Sequence, residues 1–268
     1  MRKNVDIKWY QTLDSTNTQA AREISQAPDG TVWIADFQTA GRGQRGNRWE
    51  SAKCENLTFS VLFKPIFLSP AQQFAISEVA AIGVCRYLRS KGLPAQIKWP
   101  NDIYIGNKKI CGMLIEHSIS GDKLAGSIIG IGLNLNQREF SSDAPNPTSL
   151  LLEAEALASS NVPEGTYDRR EELSSLLGYI FTAYGELEDG FAAELNQEYL
   201  DCLYRFNQWH QFIEIDANAP ADMPVEKMAA GRTITARITG VDPYGCVILE
   251  HQSGTLQTYP FKGIRYIL

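Results

Sequence analysis

Residues 38–49 read Gln-Thr-Ala-Gly-Arg-Gly-Gln-Arg-Gly-Asn-Arg-Trp, and the neighbours of this stretch decide which fold it belongs to. Gly41, Gly43 and Gly46 let the backbone come close to a ligand, while Arg42, Arg45 and Arg48 offer guanidinium forks to phosphate oxygens. The run before it, Thr-Val-Trp-Ile-Ala-Asp-Phe-Gln at 31–38, is β-branched and aromatic, so a strand runs into the loop. Gly41-x-Gly43-x-x-Gly46 has the form of a dinucleotide fingerprint, but that loop must open a helix. Here residues 50–56 lead to another strand, Leu-Thr-Phe-Ser-Val-Leu-Phe at 57–63. No Gly-Lys-Ser/Thr follows, which excludes a Walker A loop. What remains is an anion cradle between two strands, with a solvated basic loop as the bland alternative.

The rest of the chain is neither basic nor membranous. It has 268 residues, a formal net charge of −6 and 44% apolar residues, with a pI near 5.2. An acidic balance argues against a broad nucleic-acid face, so positive charge is local to the loop. No apolar leader follows Met1, and no run approaches the ~20 apolar residues of a bilayer span. The five cysteines, at 54, 85, 111, 202 and 246, show no metal spacing, are expected as small core residues and suit a reduced cytoplasm.

Outward from the loop, Asp14-Ser-Thr-Asn17 reads as the N-terminus of a short helix over 18–24. Ser69-Pro70 starts a covered apolar helix to about Ser90. Strands at 103–105, 110–115 and 128–135, with turns at Gly106-Asn107 and Gly121-Asp122, form an antiparallel meander. A short helical piece near 150–157 precedes a helical stretch from Arg169 to about Phe206. Short strands follow at 233–241, 246–250 and 256–260. The expected class is α+β: a mixed or antiparallel sheet packed with helices over residues 1–206, then a small all-β unit over 207–268.

Two further motifs carry chemistry. Lys98-Trp-Pro-Asn-Asp102 sets a lysine and a carboxylate at a turn, and Lys108-Lys109 lies one hairpin later, able to fold back toward Asp102. A lysine there can neutralise charge that builds up on a phosphate or during acyl-phosphate formation. Asp102 can accept hydrogen bonds or help hold Mg²⁺. Gly130-Ile-Gly-Leu-Asn134 ends a strand with an amide able to read an adenine edge.

Taken in order, Ser15-Thr16-Asn17, Gln38 with the glycine-arginine loop, Lys98-Trp-Pro-Asn-Asp102, Lys108-Lys109 and Gly132-Leu-Asn134 resemble the biotin protein ligase family. Asp242-x-x-Gly245 and Phe261-x-Gly263 look like its SH3-like C-terminal domain. The resemblance implies a class II synthetase-like catalytic domain and a two-step reaction. Biotin and MgATP give biotinyl-5′-AMP, which acylates one lysine of a biotin carboxyl carrier domain, as in acetyl-CoA carboxylase. It also implies that Ser15, Thr16 and Gln38 hold the ureido head, helped by Asn17 and the backbone at Gly41, Arg42 and Gly43. Lys109, Asp102 and Lys98 would be the catalytic set, Asn134 would hold adenine, and Trp49 would pack over the ligand. No protein-bound metal is expected, no operator binding, and a monomer or homodimer. The rivals are a lipoate or octanoate ligase or transferase, which would not need the polar head set, and a sensor that binds without turnover.

Two positions depart from the family pattern. Gln44 and Asn47 stand where basic residues are frequent, so retention of the adenylate rests on Arg42, Arg45 and Arg48. Gln44→Arg is therefore expected to slow adenylate release relative to the wild type; identical release rates would remove the argument.

Overall fold

The computed structural model describes residues 5–44, 47–141, 146–157, 165–215, 231–261 and 263–267. Its larger sheet contains β1 (Ile7–Tyr10), β2 (Val32–Ala35), β3 (Leu57–Phe63), β4 (Ala95–Lys98), β5 (Asp102–Ile105), β6 (Lys108–Ser120) and β7 (Lys123–Leu133). Their order across the sheet is β1-β2-β3-β7-β6-β5-β4; β1 runs parallel to β2 and the other neighbours are antiparallel. The helices are α1 (Thr16–Glu23), α2 (Phe74–Ser90), α3 (Leu150–Ala156), α4 (Arg169–Glu188) and α5 (Ala192–Asp201). A second sheet, ordered β11-β10-β9-β8-β12, comprises β8 (His210–Glu214), β9 (Thr233–Val241), β10 (Val247–His251), β11 (Leu256–Tyr259) and β12 (Ile264–Tyr266).

Strand alternation separates two faces. Leu57, Phe59, Val61 and Phe63 on β3, and Ile129, Ile131 and Leu133 on β7, join the buried cluster that contains α2 and α4. The next residues along each strand face the other way. There α1 packs Ala20 into a smaller cluster with Trp33, Leu62 and Ile128. Glu23 anchors α1, accepting from Lys8 at 2.5 Å and from Trp33 Nε1 at 3.1 Å. The Lys8 hydrogen bond holds the Glu23 carboxyl down to about 2.

Several details differ from the sequence expectations. The 18–24 helix starts at Thr16, with Ser15 as its N-cap residue. Pro70–Gln72 is a separate 3₁₀ turn before α2. The long helical stretch is broken into α4 and α5 at Gly190, whose φ of +93° suits glycine and ends a helix. The short strands β1, β4, β8 and β12 were not foreseen. All five cysteines are free; Cys85, Cys111 and Cys202 are buried as expected, but Cys54 is exposed. Among the described residues no helix is long and apolar enough to cross a membrane.

Glu78 is a carboxylate inside this core. It is 6% exposed on α2 and accepts from Asn196 Nδ2 at 2.7 Å, and burial pushes its pKa up to about 7. The unfolded carboxyl releases its proton near 4.5, so the folded chain binds more protons between pH 4.5 and 7 and loses stability as pH rises through that window. Glu78→Gln is expected to match the wild type at pH 4 and to exceed it by about 1–3 kcal/mol at pH 8 in denaturant unfolding. A variant less stable at pH 8 would contradict this account.

Candidate active site

The face opposite α2 has a floor with few side chains. Thr58, Gly132 and Gly112 form one cross-strand row over β3, β7 and β6; Ser60, Gly130 and Leu114 form the next. A Cβ on Gly130 would overlap the Asn17 side-chain amide, and one on Gly132 would overlap the Trp49 indole. A Cβ on Gly112 would lie 2.9 Å from Trp49 Cζ3 and 3.3 Å from Lys109 Nζ. Glycine at these positions is thus a demand for space.

One end of the floor is polar. Ser15, Thr16 and Asn17 are each 3% exposed at the start of α1. Thr16 N donates to Gln38 Oε1 at 2.7 Å, which fixes the glutamine against the turn. Ser60 Oγ lies 2.8 Å from Thr16 Oγ1 and 2.6 Å from Asn17 Oδ1. Asn17 Nδ2 donates to Leu114 O at 3.2 Å and to Glu116 Oε2 at 2.8 Å. Buried amides and hydroxyls are aligned in this way because an unpaired one costs about 1–3 kcal/mol.

The described residues of the glycine-arginine loop, 41–44 and 47–49, pair with each other as the two arms of a hairpin beside that end. Trp49 N donates to Gly41 O at 3.1 Å, Gly43 N donates to Asn47 O at 2.8 Å, and Arg42 bridges Arg48. Arg42 reaches Glu116 at 2.6 Å, and Arg48 is exposed. Arg45 lies outside the described residues. Trp49 turns its indole onto the glycine floor, and its buried Nε1 has no hydrogen-bond partner among the described residues.

At the other end of the floor, Lys109 Nζ lies 2.7 Å from Asp102 Oδ1 and 5.7 Å from the Trp49 ring centre. Lys108 turns away to Glu153 at 3.0 Å, so only Lys109 folds back as the sequence allowed. Lys98 stands opposite Asp102 across β4 and β5, with Nζ 3.0 Å from Tyr104 OH and 5.2 Å from the Tyr266 ring centre. Asn134 is buried at the end of β7, where its Nδ2 donates to Thr148 O at 2.9 Å. Gln44 lines a cleft of about 110 Å³ with Asn101, Tyr244 and Phe261, where the two sheets approach each other.

Ser60 and Glu116 were missed by sequence reasoning. Ser60 looked like a strand residue, and only its register opposite Gly130 places it under the polar end. Glu116 follows the strand read over 110–115 and lies in no motif, so only its place on the floor side of β6 marks it. Among the described residues no group of three or more His, Cys, Asp or Glu is arranged to hold a metal ion.

A mixed sheet with this floor, its helices and a separate small β-sheet define an α+β fold. It is similar to the structure of a biotin protein ligase from Aquifex aeolicus in complex with biotin and ATP, with a TM-score of 0.73, 24% identity, and coverage of 98% of this chain and 99% of that one. Residues 9–134 match the biotin/lipoate A/B protein ligase family. A bifunctional ligase/repressor BirA of Bacillus spizizenii is 30% identical over 268 residues, covering 93% of this chain and 71% of the relative. A biotin--[acetyl-CoA-carboxylase] ligase of Paracoccus denitrificans is 36% identical over 128 residues, or 46% of this chain and 51% of the relative. The chain belongs to the biotin/lipoate A/B protein ligase family.

The buried serine gives a direct test of the polar end. Ser60→Ala deletes the partner of both Thr16 and Asn17 and is expected to destabilise the fold by about 1–3 kcal/mol in denaturant unfolding. A change below about 0.5 kcal/mol, the usual range for surface sites, would show that these bonds contribute little.

Proposed function

We propose that this chain is a biotin protein ligase that forms biotinyl-5′-AMP from biotin and ATP and transfers the biotinyl group to a carrier lysine. The observation that carries the reading is the glycine floor, polar at the Thr16–Gln38 end and cationic at the Lys109 end. An apolar acyl chain fits such a floor, with a hydrogen-bonding head at one end and a carboxylate at the other. A lipoyl or octanoyl tail would leave the buried polar end unpaired.

In the first step a biotin carboxylate oxygen forms a bond to the α-phosphorus of ATP, and pyrophosphate leaves. Lys109 offers a positive charge to the carboxylate and then to the acyl phosphate, while Asp102 orients the lysine through their 2.7 Å contact. In the second step a carrier lysine nitrogen attacks the acyl carbon and AMP departs. Ser15, Thr16, Asn17 and Gln38 hold the head, with the backbone at Gly41, Arg42 and Gly43. Trp49 covers the acyl chain, and Asn134 holds adenine. Gln44, Arg45 and Arg48 belong to the loop beside the phosphates, and Lys98 completes the cationic set. Mg²⁺ accompanying the nucleotide would offset charge on the phosphates, and Asp102 is the carboxylate that would help hold it.

The catalytic unit covers residues 1–206 and the SH3-like unit 207–268. The acceptor is a biotin carboxyl carrier domain of acetyl-CoA carboxylase or a related carboxylase, a reading supported by the relative from Paracoccus denitrificans. The acidic charge balance supports action without a nucleic-acid partner, and the free cysteines suit a reduced cytoplasm; the chain acts away from the membrane, as a monomer or homodimer.

Mass spectrometry of a carrier domain incubated with the chain, MgATP and biotin, lipoate or octanoate tests the reading. A gain of one biotin on one lysine is expected. A gain with lipoate or octanoate alone would move the chain to the other branch of the family, and biotin binding without transfer would make it a sensor. Lys109→Ala is expected to lower biotin-dependent pyrophosphate release by roughly 10²–10³-fold, as for other deleted groups that stabilise developing charge.

A further inference from the structure

Glu116 lies in none of the motifs, yet it joins two of them. It projects from β6 on the floor side, one row beyond Leu114 and Gly130. Its carboxylate accepts from Asn17 Nδ2 at 2.8 Å and from both terminal nitrogens of Arg42, at 2.6 and 3.3 Å. Asn17 cannot turn freely to release it. Ser60 donates to the Asn17 carbonyl oxygen, and Asn17 Nδ2 has a second acceptor in Leu114 O, so both ends of the amide are fixed. A hydrogen-bonded chain therefore runs from buried Ser60 through Asn17 and Glu116 to the half-exposed Arg42 at the root of the hairpin.

The charges explain why an acid is needed there. Residues 38–49 contain arginines at 42, 45 and 48 and no carboxylate. Such a hairpin has no internal charge to hold it on the sheet, and β6 supplies one. A guanidinium held at two points is oriented as well as attracted. Arg42 is then occupied by Glu116, and the phosphate end of a ligand is left to the other cations.

Resting on the biotin ligase reading, we propose that Glu116 is a positioning residue for intermediate retention. Its carboxylate clasps the hairpin to the head-binding turn and sets how long the acyl adenylate stays enclosed before a carrier lysine arrives. Loss of the clasp opens the hairpin, so the intermediate escapes faster while the groups that form it remain in place.

The test uses the full chain loaded with biotin and MgATP and follows adenylate release without carrier, at low and high salt, with thermal melting in parallel. Glu116→Ala and Arg42→Ala are each expected to release the adenylate about three- to tenfold faster, the scale of one two-point ion pair. The double variant should be no faster than either single one, because all three remove the same link. Wild-type release should quicken with salt, which screens the exposed pair, and release from Glu116→Ala should not. Glu116→Gln keeps an acceptor for Asn17 but loses the charge, so it should retain the wild-type melting point, with faster and salt-insensitive release. Additive effects in the double variant, or wild-type release and salt response in Glu116→Gln, would overturn the clasp. Absence of any adenylate in the wild type would instead overturn the ligase reading on which the clasp rests.

Discussion

The pleat of β3, β7 and β6 is the constraint on which the site depends. Side chains alternate along a strand, so burying Phe59, Ile131 and Met113 under the helices sends Thr58, Gly132 and Gly112 to the opposite face. A slip of one residue in any of these strands would exchange core and floor. The large apolar core therefore enforces the register of the small polar site. The floor's shape follows from the same rows: Gly130 makes room for the Asn17 amide and Gly132 for the Trp49 ring, positions where an added methyl would collide.

That dependence also explains what the sequence made legible. Strand 57–63 and strand 233–241 have the bounds read from their β-branched and apolar runs, because local pattern and burial agree there. Strand β1 has no such agreement: Ile7-Lys-Trp-Tyr contains a charge, is only partly buried, and becomes a strand by parallel pairing with Val32–Ala35, a partner distant in sequence. Helix 169–206 was drawn too long, although Gly190 carried the signal for its break. In the candidate site, the glycine-arginine loop, Asp102 and Lys109 stood out by residue type and spacing, whereas Ser15 and Gln38 stood out through the family resemblance. Ser60 and Glu116 did not stand out, since their significance comes from cross-strand register alone.

Lys98 shows how the small sheet enters the chemistry of the large one. Its ammonium lies beside Tyr104 of β5 and over Tyr266 of β12, so this lysine is shared by both sheets. The next residue repeats the pattern. Trp99 Nε1 donates to Gly245 O at 2.8 Å, and its ring meets Phe261 edge-on at 5.5 Å. Gly245 has a φ of +88°, and a Cβ there would lie 2.5 Å from the Phe74 ring, so this contact requires glycine.

A buried indole hydrogen bond contributes about 1 kcal/mol and an aromatic pair about 0.5–1.5 kcal/mol beyond its area. These are modest energies, but they act on the turn between β4 and β5, and Asp102 begins the strand that follows it. Asp102 is thus held from both sides, by Lys109 of β6 and by a turn fastened to the small sheet. The lysine–carboxylate geometry at the cationic end of the floor is consequently a property of the whole chain. A small β-unit whose described residues contribute no group to the floor can still govern how Asp102 is held against Lys109.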